Sequence, residues 1–519
     1  MNFESLRSQY DIVPVVRELS ADALTPLAAF NALAGSDTEA FLFESVERGE
    51  NVGRYSFVGF DPRRTLRFDR GTNDPARLLR EELVPLRVYV EEQLPPFFGG
   101  AVGYFGYGVG GWSERIPDTR PDDINAPDAK LLFFDNVVVF DHVRQKMLVV
   151  ANLFTADAHA SLDEANTRIE RAIEKLKRAS IELLEFPTSP SSAFGTFSPK
   201  KGGRRALDSS ISREAPIECP SPPVTGEKVP KADEGVRAEF ASTYTRGEFE
   251  QMVRDAKEEI VAGEIFQIVV SQRWDAEYPT SEALTLYRVL RSINPSPYMF
   301  LLRTAECTLV GASPEMLVRV TGDVAETRPI AGTRKRGKTR EEDAELEASL
   351  LADPKERAEH LMLVDLGRND LGRVCASGSV EVENFCSIER YSHVIHLVTD
   401  VHGTLREGST AVDVFLSAFP AGTLSGAPKI RAMELIDRFE KTRRGPYGGA
   451  VAYAGFSGNL DSCITIRTIV LANGRAYVQA GAGIVYDSDP ATEFDETLNK
   501  SAALRQAVTV ATGLLPHSR

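Results

Sequence analysis

Residues 187 to 235 carry Pro, Ser, Gly and Lys where apolar periodicity would otherwise be, and this break limits what the 519-residue chain can fold into. A stretch with so little to bury reads as a linker or a long excursion. It leaves residues 1–186 as an N-terminal unit and residues 236–519 as a C-terminal one. That is in keeping with the roughly two to four domain-sized units a chain of this length allows.

In the first unit, Phe41–Ser45 and Tyr55–Gly59 flank a charged turn and read as a hairpin. Further strand-like runs lie at Ala101–Tyr107, Leu131–Phe140 and Gln145–Leu153. Leu162, Ala165, Ile169, Ile173, Leu176 and Ala179 form one helical stripe within Ser161–Phe186. The second unit opens with a helix at Thr245–Ala262, a strand at Ile265–Trp274 and a helix at Ser281–Ile293, and paired strands continue through Val320. Met299–Thr304 and Thr308–Gly311 look antiparallel, so an α+β protein built on large antiparallel sheets fits better than a doubly wound parallel one.

The formal charge of −15 argues against a nucleic-acid or anionic-membrane surface, while leaving room for a local basic pocket. Met1 is followed by Asn-Phe-Glu-Ser, with neither a basic n-region nor an apolar h-region, so no signal peptide is visible. No apolar run reaches the roughly 20 residues that span a bilayer. Cys219, Cys307, Cys375, Cys386 and Cys463 are scattered without CxxC spacing and read as reduced cytosolic thiols.

Two glutamate pairs open two helices: Glu356 and Glu359 after Asp353-Pro354, and Glu493 and Glu496 after Asp489-Pro490. Asp as N-cap with Pro at the first helical position is a strong helix start. Carboxylates three residues apart share a face. Two such faces together make an oxygen-rich site suited to a hard divalent cation, Mg²⁺ foremost. Helix capping and the helix dipole account for Glu356 and Glu493 equally well, so Glu359 and Glu496 are the better ligand candidates.

Phe419–Lys429 is a glycine-rich turn feeding a helix at Ile430–Phe439, a setting that holds anions, although Pro428 before Lys429 departs from a Walker A loop. Gly481, Ala482 and Gly483 permit close backbone approach to a ligand. Alternation through Ser462–Arg467 predicts a strand with Cys463, Thr465 and Arg467 on one face. A buried Arg467 needs an anion, supplied by a ligand or by a protein carboxylate. His393 and His396 would face opposite sides of a strand, which favours a single hydrogen-bonding or catalytic histidine over a zinc pair.

Pro329–Arg334, Glu359–Asp370, Gly422–Lys429 and Gly481–Lys500 together closely resemble the chorismate-utilising enzymes, and within them the anthranilate synthase component I group. The likeness runs over residues 240 to 512, with a weaker N-terminal match through Phe43-Glu44-Ser45. It implies a sandwich of large antiparallel sheets with peripheral helices. The N-terminal unit would carry part of a tryptophan feedback site, and residues 236–519 would form the chorismate-binding catalytic domain.

The same resemblance implies roles for individual residues. Glu359 and Glu496 would ligate Mg²⁺ with Glu356 and Glu493 in support, Tyr447, Arg467 and the Gly481–Gly483 backbone would hold the enolpyruvyl carboxylate, and Lys500 would lie near the metal. Gly332, Thr333 and Thr423 would line the ring, Glu315 would be the general acid and His396 would serve the second step. Gln267 replaces the lysine base of the water-adding relatives, and Ala331 replaces the nucleophilic lysine of the 4-amino relative, so both favour anthranilate. The partners implied are chorismate, ammonia and a separate glutamine amidotransferase subunit (component II). L-tryptophan would be the inhibitor, at Glu44, Ser45, Pro297, Tyr298 and Met299. Phe43 departs from the usual Leu-Leu-Glu-Ser of that arm.

Overall fold

A computed structural model describes residues 6–35, 39–45, 53–89, 94–179, 238–390 and 394–515. Residues 187–235, Cys219 among them, and His393 lie outside the described residues. Two large antiparallel sheets dominate, of twelve and ten strands among the described residues.

Neither sheet belongs to one side of the sequence break. In the first sheet Ala40–Glu44 pairs with Tyr298–Arg303, joining strands from before residue 187 to strands from after residue 235. In the second, Gly100–Phe105 pairs with Ala450–Gly455. The break in composition therefore separates stretches of chain and not sheets.

The sheets face one another across a core of aromatic and branched side chains that includes Phe41, Phe134, Phe300, Tyr453 and Val470. Helices cover the outer faces. Pro26–Ala34, Leu162–Lys177, Ala283–Ile293 and Pro490–Gly513 pack on the first sheet, with Phe30, Ile169, Leu290 and Leu504 in one cluster. Pro354–Gly372 and Ala411–Ala418 cover the second through Val364, Leu371 and Phe415. The arrangement is α+β, an antiparallel sandwich with peripheral helices.

Leu131–Phe140, a single run in sequence, is two strands: Ala129–Phe134 lies in the second sheet and Asn136–Asp141 in the first. Continuous apolar sequence cannot reveal this crossing, because both segments are buried on both faces. Two more crossings are central to the site. The chain leaves the first sheet at Ser313 and enters the second at Met316; it leaves the second at Ile464 and re-enters the first at Thr468.

Gly103 shows how tightly the sheets are built. A Cβ there would lie 1.9 Å from the carbonyl oxygen of Lys130 and 2.8 Å from Leu131 Cδ2. We expect Gly103→Ala to destabilise the fold by about 1–3 kcal/mol through overpacking, lowering the thermal midpoint followed by circular dichroism. An unchanged midpoint would contradict this packing.

Candidate active site

The two inter-sheet crossings are bonded to each other. Ile464 N donates to Glu315 O at 3.0 Å, Ala312 N to Arg467 O at 3.0 Å, and Ser313 Oγ to Ile464 O at 2.7 Å. Glu315 and Arg467 thus sit side by side at the seam. Here the predicted strand through Ser462–Arg467 needs correction: the strand ends at Ile464, and Arg467 occupies the connecting turn with φ of 50°. The change of sheet demands a sharp backbone reversal, and a non-glycine residue in the left-handed region accepts strain to provide it.

Thr423 Oγ1 donates to Glu315 Oε1 at 3.0 Å. Burial pushes the Glu315 carboxyl up to about 7, against the opposing pull of that hydrogen bond and of the Lys500 charge. A glutamate that still holds its proton near neutral pH can serve as a general acid. Lys500 Nζ reaches Gly481 O at 3.1 Å and Glu496 Oε1 at 2.6 Å, while its own carbonyl accepts from Arg467 Nη1 at 2.6 Å. A Cβ on Gly481 would stand 3.0 Å from the Tyr447 hydroxyl, and one on Gly483 would stand 3.0 Å from the Gln267 amide nitrogen. Backbone, phenol and amide therefore crowd one wall that side chains larger than hydrogen would fill. Ala482, between the glycines, packs instead with Ile268 and Ile484, so only its backbone faces this wall.

Gly332 lies in a bulge, with φ of 66° and a register shift between Ala331 and Thr333. The bulge turns its carbonyl to His396 Nδ1 at 2.9 Å, with Thr333 Oγ1 3.1 Å from the same nitrogen. A carbonyl only accepts, so Nδ1 carries the proton and Nε2 the lone pair in the neutral ring. Burial lowers the His396 pKa and favours that neutral form.

Both Asp-Pro helix starts form as the spacing predicts. Asp353 accepts from the backbone N–H groups of Lys355 and Glu356, and Asp489 from that of Thr492. Glu356 does not close a capping box: its carboxylate meets Arg334 Nη1 at 2.8 Å, while Arg334 Nη2 holds Asp353 at 2.8 Å. Desolvation raises Glu359, helped by the neighbouring charges of Glu356, Glu496 and Asp353. Desolvation also raises Glu493, helped by Glu496, and its Oε2 is buried with no hydrogen-bond partner among the described residues. Mutually repelling hard-oxygen donors with an orphaned buried oxygen fit a divalent cation. Lys355, 3.9 Å from Glu359, and Lys500 partly offset that charge. Among the described residues, the group that places three ligand atoms within 4.8 Å of one another is a different one, Glu381, Glu383 and His402 on two paired strands, and the four glutamates stand wider apart than that.

The motif reading overlooks two arginines. Arg334 holds the first carboxylate cluster, as described. Arg444 is buried, is gripped by Glu440 at 2.6 Å and 2.9 Å, and donates to Leu424 O at 2.6 Å and Val269 O at 2.7 Å. Its only signal in the sequence is a position just before Gly445-Pro446-Tyr447.

The proposed inhibitor residues gather where Ala40–Glu44 meets Tyr298–Arg303, with Glu44 opposite Met299. Glu44 is buried and accepts from the Tyr287 hydroxyl at 2.6 Å and from Arg291 Nε at 3.2 Å. Ser45 Oγ is buried with no partner among the described residues. Pro297 directly precedes the second strand. The five residues do not share one face: Met299 packs on the helix side, whereas Tyr298 lies with the inter-sheet core and bonds Asp461 at 3.1 Å.

A model of the chorismate binding enzymes matches residues 38–506. The chain is 43% identical to anthranilate synthase component 1 of Acetivibrio thermocellus over 98% of its length and 97% of that protein. It is 42% identical to the Aquifex aeolicus (strain VF5) protein of the same name, over 98% and 96%. Among solved structures, anthranilate synthase component I from Streptococcus pneumoniae TIGR4 superposes with a TM-score of 0.70 at 32% identity, covering 94% of this chain and 99% of that one. The menaquinone-specific isochorismate synthase of Escherichia coli shares the fold with a TM-score of 0.65 at 18% identity. The chain belongs to the chorismate binding enzyme family, among its anthranilate synthase component 1 members.

Proposed function

We propose that this chain is the large subunit of an anthranilate synthase, which converts chorismate and ammonia to anthranilate and pyruvate. The observation that carries this reading is Glu315, desolvated at the seam and bonded to Thr423, beside Lys500 and Arg467 in a chain so similar to component 1 proteins. Arg467, the Tyr447 hydroxyl and the Gly481–Gly483 backbone form a wall suited to the enolpyruvyl carboxylate, because a buried guanidinium pairs best with a bidentate anion.

Ammonia adds at C2 of the ring while Glu315 gives its proton to the departing 4-hydroxyl, which leaves as water as the ring double bonds shift. Glu315 is then an anion until solvent reprotonates it. In the second step the C2 proton is removed, the C3–O bond breaks and the ring aromatises, and the departing enolpyruvate takes up a proton at its methylene carbon to become pyruvate; Nε2 of neutral His396 is the base we assign to this step. Gln267 bears no base that could activate water, and Ala331 offers no nucleophile, so neither water addition nor 4-amination is served. Glu359 and Glu496, with Glu356 and Glu493 behind them, would hold Mg²⁺, which when bound supplies Lewis-acid polarisation of the ring carboxylate. Ammonia would arrive from a glutamine amidotransferase partner, and tryptophan would inhibit through Glu44, Ser45 and Met299.

Glu315→Gln should lower kcat for anthranilate formation by about 10²–10⁴-fold while leaving chorismate binding largely intact. Glu359→Gln should abolish the response of turnover to added Mg²⁺. If Glu359→Gln retained full Mg²⁺-dependent activity, the metal assignment would fall. Because Glu315 must be protonated and its pKa lies at about 7, kcat at fixed free ammonia should decline as pH rises through that value. Ser45→Ala should weaken tryptophan inhibition about tenfold or more, in line with loss of a buried hydrogen bond, without changing turnover in the absence of tryptophan.

A further inference from the structure

We infer that Arg444, clamped by Glu440, is a positioning residue that holds the Thr423 turn against Glu315 and so sets the protonation of the catalytic acid. The inference rests on Glu315 acting as that acid.

The geometry is specific. The Arg444 guanidinium spends its N–H groups in four bonds: Nε and Nη2 to the two oxygens of Glu440, Nη1 to Leu424 O and Nη2 to Val269 O. Leu424 directly follows Thr423, and Val269 lies two residues past Gln267. Val269 N in turn donates to Ser425 O at 2.9 Å, so the turn and the strand are tied at two successive carbonyls, Leu424 and Ser425. Glu440 is itself fixed by Ser271, whose N and Oγ donate to it at 2.9 Å and 2.7 Å. The guanidinium lies over the Tyr107 ring at 4.4 Å, and Tyr447 N donates to Arg444 O at 3.3 Å. One cation thus ties the loop bearing Thr423 to the strand bearing Gln267, while its own main-chain carbonyl caps the turn bearing Tyr447. A lysine could not do so, because it lacks the planar fork.

The consequence for Glu315 follows from hydrogen bonding. The Thr423 hydroxyl donates to the carboxylate and favours its charged form. The other charged groups around Glu315 are Lys500 from the Asp489 helix, Arg467 across the bonded crossings, and Asp370 and Arg328, which line the cavity that Glu315 and Thr423 share. Lys429 offsets Asp370 at 3.3 Å. Letting the turn drift removes the hydroxyl while those charges remain, so the acid becomes harder to ionise.

The test is the pH profile of kcat at fixed free ammonia for the wild type, Thr423→Val, Arg444→Lys and the double variant. Thr423→Val should move the alkaline limb to higher pH. Arg444→Lys, which touches neither substrate nor Glu315, should move it in the same direction and lower kcat, and the double variant should show no further shift. Ser271→Ala, which loosens Glu440 more gently, should give a smaller shift of the same sign, and it carries the test if Arg444→Lys fails to fold. If Thr423→Val shifts the limb and folded Arg444→Lys and Ser271→Ala do not, the positioning role is wrong. If Thr423→Val itself leaves the limb in place, the assignment of Glu315 as the acid is what fails.

Discussion

The bonded pair of crossings, where the chain passes between the sheets at Ser313–Met316 and at Ile464–Thr468, is the constraint on which the rest of the site depends. Side chains at such a seam are neither in a core nor on a surface. Glu315 is enclosed enough for burial to hold its proton near neutrality, yet one oxygen still meets Thr423. Arg467 takes up a left-handed backbone conformation, a strain of order 1–3 kcal/mol. The bonds from Ala312 N to its carbonyl and from its Nη1 to Lys500 O offset that strain. The reactive groups are thereby anchored to both sheets, so motion of one relative to the other would disturb them together.

Around that seam the charges are interleaved. Arg334 bridges Asp353 and Glu356, Lys500 pairs Glu496, and Lys355 approaches Glu359. The pattern keeps a dense set of carboxylates folded while leaving Glu359 and Glu493 the two that burial and neighbouring charge push upward. A cation bound among them would relieve repulsion already present in the fold. The buried Arg444–Glu440 pair plays the complementary part. Breaking a buried pair costs about 3–5 kcal/mol, so the turns it ties are held firmly.

Much of this was legible in the sequence. The Asp-Pro helix starts and their glutamates, the hairpin at Phe41–Gly59 and the helix at Arg246–Val261 with its Thr245 cap follow from local chemistry that tertiary context does not override. The glycine positions were legible too, because Gly332 and Gly481 need backbone freedom or close approach, and no other residue supplies it. What stayed hidden depends on long-range partners. Leu131–Phe140 reads as one apolar run although it serves two sheets, and Arg467 continues an alternation that stops at Ile464 because the chain must change sheets. Arg444 gives no local sign of its role, since its partners Val269 and Leu424 are distant in sequence. The strands from the two sides of residues 187–235 also pair with each other, which composition could not indicate.

The most direct measurement is product identity from the isolated chain supplied with chorismate, ammonium and Mg²⁺, read by anthranilate fluorescence and by pyruvate release in the same reaction. The account predicts anthranilate and pyruvate formed in equal amounts. Accumulation of isochorismate, of the 4-amino isomer, or of an aminated intermediate without pyruvate would contradict it.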